Sequence, residues 1–223
     1  MAQRRTRLVA LVMATHFPQA LTMLLVTTAA SALYGQHGIQ LLFLAIATAA
    51  GQASIGWGND YIDVNTDKAL NRTHKPSVKY SLEPKSLRTP IMVALVVMVP
   101  FSFLAAGFVG GLANILAVAS AQVYNRYLSR TIWSWLPYAV SFALLTVFIT
   151  QSSSSALWPS WRVVCIAACV GVIAHVFNAL PDLQIDKESK LGGLVVSLGK
   201  SRAIVLLVVL MAIVLGLLVE VLA

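Results

Sequence analysis

The sequence predicts an all-α membrane protein, a multi-pass bundle of about seven transmembrane helices. Of its 223 residues, 58% are apolar and only 11% are charged, whereas a soluble domain carries roughly 25% charged residues. The apolar residues form continuous runs close to the ~20 residues that a helix needs to cross the hydrocarbon layer. Continuous runs favour helices over a barrel, whose strands alternate apolar and polar residues. We expect residues 1–223 to form a single domain.

Seven apolar segments are the candidate spans. They cover residues 8–33, 39–58, 89–108, 111–128, 132–150, 159–181 and 203–222. In the first segment Pro18 is expected to kink the helix, which membrane helices tolerate. The second segment carries small residues at 51–58, which let another helix approach its backbone. A tight turn at 108–111 is expected to join the third segment to the fourth.

Basic residues predict the orientation of the bundle. Fifteen of the 16 Lys and Arg residues lie at the N-terminus or in the loops at 59–88, 125–131 and 182–202, which leaves only Arg162 elsewhere. Lysine and arginine accumulate in cytoplasmic loops of membrane proteins. We therefore expect a protein of the cell (inner) membrane with a cytoplasmic N-terminus, and we attribute the net charge of +8 to topology rather than to nucleic-acid binding.

Two acidic stretches stand out because the chain has only eight Asp and Glu residues. The second apolar segment leads into Asn59–Asp67, and the sixth leads into Asn178–Asp186. Both contain the pattern Asn-x3-Asp-x3-Asp, in which the three polar residues share one face if the helix continues. Such a repeat on two spans indicates a functional site rather than neutralisation of the basic loops.

The residue types in these stretches indicate a site for a metal ion and a diphosphate. Two converging oxygen-rich faces would hold a hard cation, and Mg²⁺ is commonly bound by few carboxylates together with substrate phosphates. Nearby basic side chains would pair with phosphate oxygens; they are Arg72, Lys75, Arg126, Arg130 and Lys190. Such a cluster at the mouth of an apolar bundle suits a ligand with a diphosphate head and a hydrocarbon tail. Metal ions would neutralise the departing diphosphate, and aromatic faces would stabilise a carbocation.

These motifs resemble those of the UbiA superfamily of intramembrane prenyltransferases. Asn59-Asp60-x-x-Asp63-x-x-x-Asp67, followed by Arg72-Thr-His-Lys75-Pro76, resembles the first Asp-rich motif of the family and the basic residues after it. Asp182-x-x-x-Asp186 matches the second Asp-rich motif, and Tyr124-Asn125 resembles the tyrosine motif between the two. Where the family commonly has a lysine after that tyrosine, this chain has Ser129, so Arg126 or Arg130 would substitute.

The resemblance implies Mg²⁺-dependent transfer of a prenyl group from a polyprenyl diphosphate to an aromatic or other lipophilic acceptor. It implies that Mg²⁺ is held by Asn59, Asp60, Asp63, Asp67, Asp182 and Asp186, of which the last four aspartates, Asp63, Asp67, Asp182 and Asp186, would be catalytic. The candidate diphosphate-binding residues are Arg72, Lys75, Tyr124, Arg126, Arg130 and Lys190. Family members usually have about nine helices, so we expect a short member that lacks the C-terminal helices, with partner helices or an oligomer completing the bundle.

Two other functions stay open at this point. A non-catalytic relative would bind a prenyl lipid or serve as a membrane subunit, which the short C-terminus and Ser129 favour. A small ion-coupled transporter would use the paired acidic faces to bind its coupling ions, but such sites lie near the middle of the bilayer. The carboxylates of this chain lie at the predicted cytoplasmic ends of the spans, which favours the prenyltransferase.

Overall fold

The computed structural model describes residues 2–73 and 75–222 and contains only helices and turns in these ranges, which confirms the all-α prediction. The α-helices of the described chain are α1 (Ala2–Met13), α2 (Phe17–Leu33), α3 (Gly38–Ala69), α4 (Pro76–Lys79), α5 (Pro84–Val123), α6 (Leu136–Gln151), α7 (Trp161–Ala179), α8 (Leu183–Glu188) and α9 (Leu194–Leu222). A π-helical turn, Tyr124–Leu128, follows α5, and a 3₁₀ turn, Ile132–Trp135, precedes α6.

The first apolar segment is broken into two helices. Its two parts, α1 and α2, meet at an angle of 58°. His16 lies in the break with a left-handed φ of 56°, and Pro18 occupies the first turn of α2. Because proline has no N–H group to donate to the preceding turn, it fits at the start of a helix but not inside one. The expected bend near Pro18 is confirmed.

Helix α5 folds back on itself. Its backbone leaves the helical conformation at Ala106 and Gly107, and Gly107 adopts φ 61° and ψ −165°, a region that is essentially restricted to glycine. Asn114 Nδ2 donates a hydrogen bond of 2.8 Å to Ser102 Oγ, although these residues would be about 18 Å apart along a straight helix. The third and fourth predicted segments therefore form a helical hairpin, whose turn lies slightly before the expected position at 108–111.

All seven predicted apolar segments are mainly helical. Among the described residues, four helices are long and apolar enough to cross a membrane, or five if α1 and α2 count as one bent span. That number treats the hairpin of α5 as one helix, and it leaves out α6, which has 16 residues. The chain is thus built as a multi-pass helical bundle.

The bundle is closely packed at the end away from the acidic stretches. Leu44 of α3 and Phe148 of α6 are fully buried there against Ala105. Gln36 Nε2 donates to the carbonyl oxygen of Ala105 at 3.4 Å and also to that of Ser152. The hairpin break leaves a carbonyl group without its helical partner, and Gln36 satisfies it while tying three spans together.

The two acidic stretches differ in backbone structure. Helix α3 has 32 residues and continues through Asp67, so the predicted face from Asn59 to Asp67 is confirmed. Helix α7 ends at Ala179, and α8 begins only at Leu183. The prediction of one continuous helical face from Asn178 to Asp186 is therefore wrong, because Pro181 cannot donate the backbone hydrogen bond that would continue α7. Asp182 and Asp186 remain one turn apart, since Asp186 N donates to Asp182 O at 2.9 Å.

Candidate active site

Helix α3 presents the first acidic stretch as a narrow band. At 100° per residue, Asn59, Asp60, Asp63 and Asp67 fall within an arc of about 100°. Asn59 Nδ2 donates to Asp63 Oδ2 at 3.2 Å, so these two side chains are in direct contact. The band on α3 therefore combines the carboxylates of three aspartates with the amide group of Asn59.

Asp60 lies at the edge of this band that faces the break between α1 and α2. It is fully buried, and its Oδ1 accepts a hydrogen bond of 3.2 Å from His16 Nε2. Next to it, Trp57 Nε1 donates to the carbonyl oxygen of Leu11 at 2.8 Å. Asp60 is therefore attached to the broken first segment, while the rest of the band faces the other acidic stretch.

Arg72 brings the two acidic stretches together. Its Nη1 donates to Asp67 Oδ1 at 3.1 Å, and its Nη2 donates to Asp186 Oδ1, which lies 114 positions later in the chain. The Arg72 side chain is only 10% exposed, and the Asp67 side chain is 1% exposed. The predicted convergence of the stretches is thus present as a buried contact through one arginine.

The charges around Arg72 stabilise one another. Burial raises the pKa of Asp186, and the positive charges of Arg72 and Lys75 oppose this shift. Burial would lower the pKa of Arg72, but the carboxylates of Asp186, Asp182 and Asp67 outweigh that effect and raise it. Buried charges are stable only with well-placed partners, so this network depends on all of its members.

The other predicted basic residues separate in space. Arg130 Nη2 donates to Asp63 Oδ1 at 3.1 Å and to Thr66 Oγ1 at 3.0 Å. Thr66 was not predicted, although its position three residues after Asp63 places it beside the band. Arg126 lies over the ring of Tyr127 at 5.8 Å, whereas Lys190 is exposed in the loop after α8. Only Arg72 and Lys75 lie among carboxylates of both stretches.

Aromatic side chains line the site on the side of the apolar bundle. The Tyr124 ring lies 5.1 Å from that of Tyr138 and 5.9 Å from that of His175, measured between centroids. Tyr124 also interacts electrostatically with Asp63 and Asp186. The π-helical turn that begins at Tyr124 is of a kind that is frequent at functional sites. Of the predicted site residues, Tyr124 is therefore placed between the stretches.

A cavity of about 240 Å³ opens beside Asp63. Its lining includes Thr66 of α3 and the segment that follows the π-helical turn, with Arg126, Ser129 and Arg130. It lies on the Arg130 side of the band rather than the Arg72 side. The site thus has two neighbouring parts, one around Arg72 and Asp67 and the other beside Asp63 and Arg130.

The carboxylates of the two stretches are suitable ligands for Mg²⁺, but several of them are paired with arginines. Within residues 7–73 and 75–221, whose side chains are described, no three His, Cys, Asp or Glu side chains lie close enough together to hold a metal ion. Arg72 and Arg130 occupy oxygens of the carboxylates instead. Asp67 Oδ2 is nevertheless buried without a hydrogen-bond partner, and carboxylate oxygens are the ligands that Mg²⁺ prefers. The side chains of Arg4 and Arg5, which entered the charge count, and His74, which lies between Arg72 and Lys75, are outside the described part.

Comparison with known proteins identifies the family. The sequence model of the UbiA prenyltransferase family matches residues 20–223. The chain belongs to the UbiA prenyltransferase family. The resemblance found in the Asp-rich motifs is thereby confirmed, and this UbiA-family chain is an integral membrane protein. No match is found among curated protein sequences.

A solved structure shows the same fold. It is the structure of a UbiA homolog from Archaeoglobus fulgidus bound to GPP and Mg²⁺, with a TM-score of 0.79 and 18% sequence identity. The match covers 95% of this chain and 77% of the other. The UbiA bundle is therefore the architecture of this chain, which corresponds to most but not all of the archaeal homolog.

Proposed function

We propose that this protein transfers a prenyl group from a polyprenyl diphosphate to an aromatic or other lipophilic acceptor within the membrane, in a Mg²⁺-dependent reaction. The observation that carries the proposal is the contact of Arg72 with Asp67 and Asp186. It joins both acidic stretches at one end of an apolar bundle, where a diphosphate head would meet a hydrocarbon tail. The archaeal UbiA homolog binds GPP and Mg²⁺, which supports the same ligands here.

The carboxylates of both stretches would hold Mg²⁺. The ligand residues in this proposal are Asn59, Asp63, Asp67, Asp182 and Asp186. Asp60, the sixth predicted ligand, is instead bonded to His16 at the other edge of the band. When bound, the metal supplies positive charge that stabilises the leaving diphosphate. Arg72 and Lys75 bind the diphosphate oxygens, because the guanidinium group that now contacts two carboxylates can pair equally with phosphate oxygens. Binding therefore exchanges internal ion pairs for contacts with the ligand.

The aromatic side chains act on the reacting carbon. As the allylic C–O bond breaks, diphosphate leaves with the bonding electron pair and the carbon becomes positively charged. The ring faces of Tyr124 and Tyr138 attract such a cation. The acceptor then forms the new bond to that carbon and releases a proton. The apolar interior excludes water, which would otherwise capture the cation.

The cell membrane is the proposed location, with the active site on the cytoplasmic side. This follows from the fifteen Lys and Arg residues that lie at the N-terminus and in the three loops on the acidic side of the bundle. The positive-inside rule places such loops in the cytoplasm. A soluble prenyl diphosphate head would then reach Arg72 directly from the cytoplasm.

The proposal is tested with purified protein in lipid nanodiscs, labelled geranylgeranyl diphosphate, Mg²⁺ and a panel of aromatic acceptors. We expect a prenylated product whose rate falls on the order of 100-fold in Asp63→Ala and in Asp182→Ala, as for loss of one preorganised electrostatic group. Glu83→Ala is the matched control, because Glu83 is an exposed acid outside both stretches. Unchanged activity in both aspartate variants would contradict the assignment.

The non-catalytic alternative has a distinct result in the same assay. The observation that favours it is Ser129, which stands where the family commonly has a lysine. A protein that binds Mg²⁺ and pyrophosphate but forms no product with any acceptor would be a prenyl-lipid-binding protein. Product formation excludes it.

A further inference from the structure

We propose that the surface where α1 packs against α4 and the start of α5 binds the headgroup of an anionic phospholipid. This surface, the basic patch, consists of Arg7, Lys79, Lys85 and Arg88, which are all exposed. None of the four belongs to the proposed diphosphate site, so the inference does not depend on the proposed reaction.

A hydrophobic cluster brings the elements of the basic patch together. Ala10 and Ala14 of α1 are buried against Leu82 and Leu87 at the start of α5. Arg7 lies one turn before Ala10 on the same face of α1. The basic residues of the patch therefore surround one packed junction, although Arg7 is far from the other three in the chain.

Two tyrosine rings at the edge of this cluster orient two of the basic side chains. The guanidinium carbon of Arg88 lies 5.5 Å from the centroid of the Tyr61 ring, and Arg88 Nε donates to the Tyr61 hydroxyl group at 3.0 Å. Lys79 Nζ lies 5.6 Å from the centroid of the Tyr80 ring. These contacts hold Arg88 through Nε and the face of its guanidinium group, so its Nη groups can pair with phosphate oxygens.

Helix α5 indicates the level of the patch in the membrane. Lys85, Arg88, Met92 and Val96 share one face of the helix, and all four are exposed. Arg88 and Met92 lie about 6 Å apart along the axis, so this face changes from basic to apolar within about one turn. Because the headgroup region adjoins the hydrocarbon layer, Lys85 and Arg88 lie at the level of the lipid phosphates.

Helix α1 shows the same change from basic to apolar. Leu8 is 64% exposed and Val12 is 42% exposed, on the face turned away from Ala10 and Ala14. An apolar face beside an arginine is typical of a helix that lies in the membrane interface. A headgroup at the patch thus contacts both α1 and α5, and it holds α1 against the bundle.

The charge of the patch favours an anionic headgroup over a zwitterionic one. None of the ion pairs among the described side chains includes Arg7, Lys79, Lys85 or Arg88. Glu83 is the one acid in the segment 75–96, so the patch keeps a net positive charge. Such a charge attracts the phosphate of either lipid, but it repels the ammonium group of a zwitterionic headgroup.

The test measures the dissociation constants of phosphatidylglycerol and phosphatidylcholine with the same acyl chains, by native mass spectrometry of the purified protein in detergent. We expect phosphatidylglycerol to bind at least about tenfold more tightly. Arg7→Gln/Lys85→Gln should weaken its binding on the order of 25-fold, at about fivefold for each basic residue removed near a membrane surface. Binding of phosphatidylcholine should stay unchanged, which also shows that the variant is folded.

The matched control is Lys200→Gln/Arg202→Gln, which removes one exposed lysine and one exposed arginine outside the patch. We expect it to bind phosphatidylglycerol like the unchanged protein. An equal loss in both double variants would show a general effect of net charge and overturn the inference. Equal binding of the two lipids to the unchanged protein would remove the headgroup specificity, and displacement of phosphatidylglycerol by Mg²⁺ and pyrophosphate would place the lipid in the diphosphate site instead.

Discussion

Arg72 is the residue through which the charges of the two acidic stretches meet. It is nearly buried, and it donates to carboxylates of both acidic stretches. The acidic side chains of both stretches therefore neutralise one internal cation. The same guanidinium geometry suits phosphate oxygens, which supports the proposed role of Arg72 in diphosphate binding.

Removal of Arg72 should destabilise the ligand-free protein. In Arg72→Gln the buried carboxylate of Asp67 loses its cation, and we expect the free energy of unfolding to fall by about 3 kcal/mol, as for other broken buried ion pairs. Chemical denaturation in detergent without Mg²⁺ measures this change. Adding Asp67→Asn to the variant should recover part of the loss, because the unpaired charge is then absent. A loss no larger than that of Arg202→Gln would show that the pair contributes nothing.

Some site residues could be predicted from the sequence and others could not. The band on α3 followed from spacing, because i and i+4 residues share a face in any continuous helix. The contact between Asp60 and His16 joins two helices that are distant in the chain. Pro18 indicated the bend beside His16, but no local spacing reveals which side chain of α3 lies against it. Likewise, Arg126 and Arg130 are equally basic in sequence, and only the fold shows that Arg130 reaches Asp63.

Helix α3 is the element on which the site is built, and it is packed closely on the side of the first segment. A Cβ atom on Gly56 would lie 2.4 Å from the backbone of Thr15. Together with the contacts of Trp57 and Asp60, this close approach fixes the break between α1 and α2 against the acidic band. The small residues at 51–58, which were expected to admit a neighbouring helix, do so at this position.

Replacement of Gly56 should therefore be costly. Gly56→Ala forces a methyl group into backbone atoms that cannot rotate away, and we expect a loss of about 1–3 kcal/mol in the free energy of unfolding, as in other overpacked sites. Gly216→Ala is the matched control, since no atom lies within 4 Å of the added Cβ position and alanine favours a helix. Equal stability of the two variants would contradict the close packing of α3 against Thr15.

The hairpin in α5 can be tested by a disulfide crosslink between its two arms. Ser102 and Asn114 are hydrogen-bonded across it, so a Ser102→Cys/Asn114→Cys variant should form an intramolecular disulfide under mild oxidation. A straight helix would keep these positions about 18 Å apart, beyond the reach of a disulfide. Mass spectrometry after digestion detects the crosslink. Free thiols at both positions after oxidation would contradict the hairpin.

Helix ends were harder to predict than helix positions. The apolar runs indicated where helices lie, but the spacing of Asp182 and Asp186 is the same whether or not α7 continues. Pro181 ended the helix there, since its ring removes the N–H donor. The loop expected at 182–202 is largely helical, because it contains α8 and the beginning of α9. A helix as short and as charged as α8 has no long apolar run, so the apolar pattern did not predict it.

At the scale of the whole molecule, one end of the bundle is packed with apolar side chains and the other carries the charged site. One end is closed by packed side chains such as Leu44 and Phe148, and the other collects the acidic and basic groups of α3, α8 and the loops between spans. The repeat of Asn-x3-Asp-x3-Asp indicated that two distant stretches belong together. The sequence could not indicate that one arginine joins them, because that contact exists only after the spans have packed.

We propose that the two stretches form a single site for Mg²⁺ and diphosphate. The most direct measurement is the affinity of the protein for pyrophosphate in the presence of Mg²⁺, determined for Asp67→Asn, Asp186→Asn and the double variant. Residues that act as one unit are strongly non-additive. We therefore predict that the double variant binds no more weakly than the weaker of the two single variants. Losses that simply add would show that Asp67 and Asp186 contribute independently, which would contradict a single cooperative site.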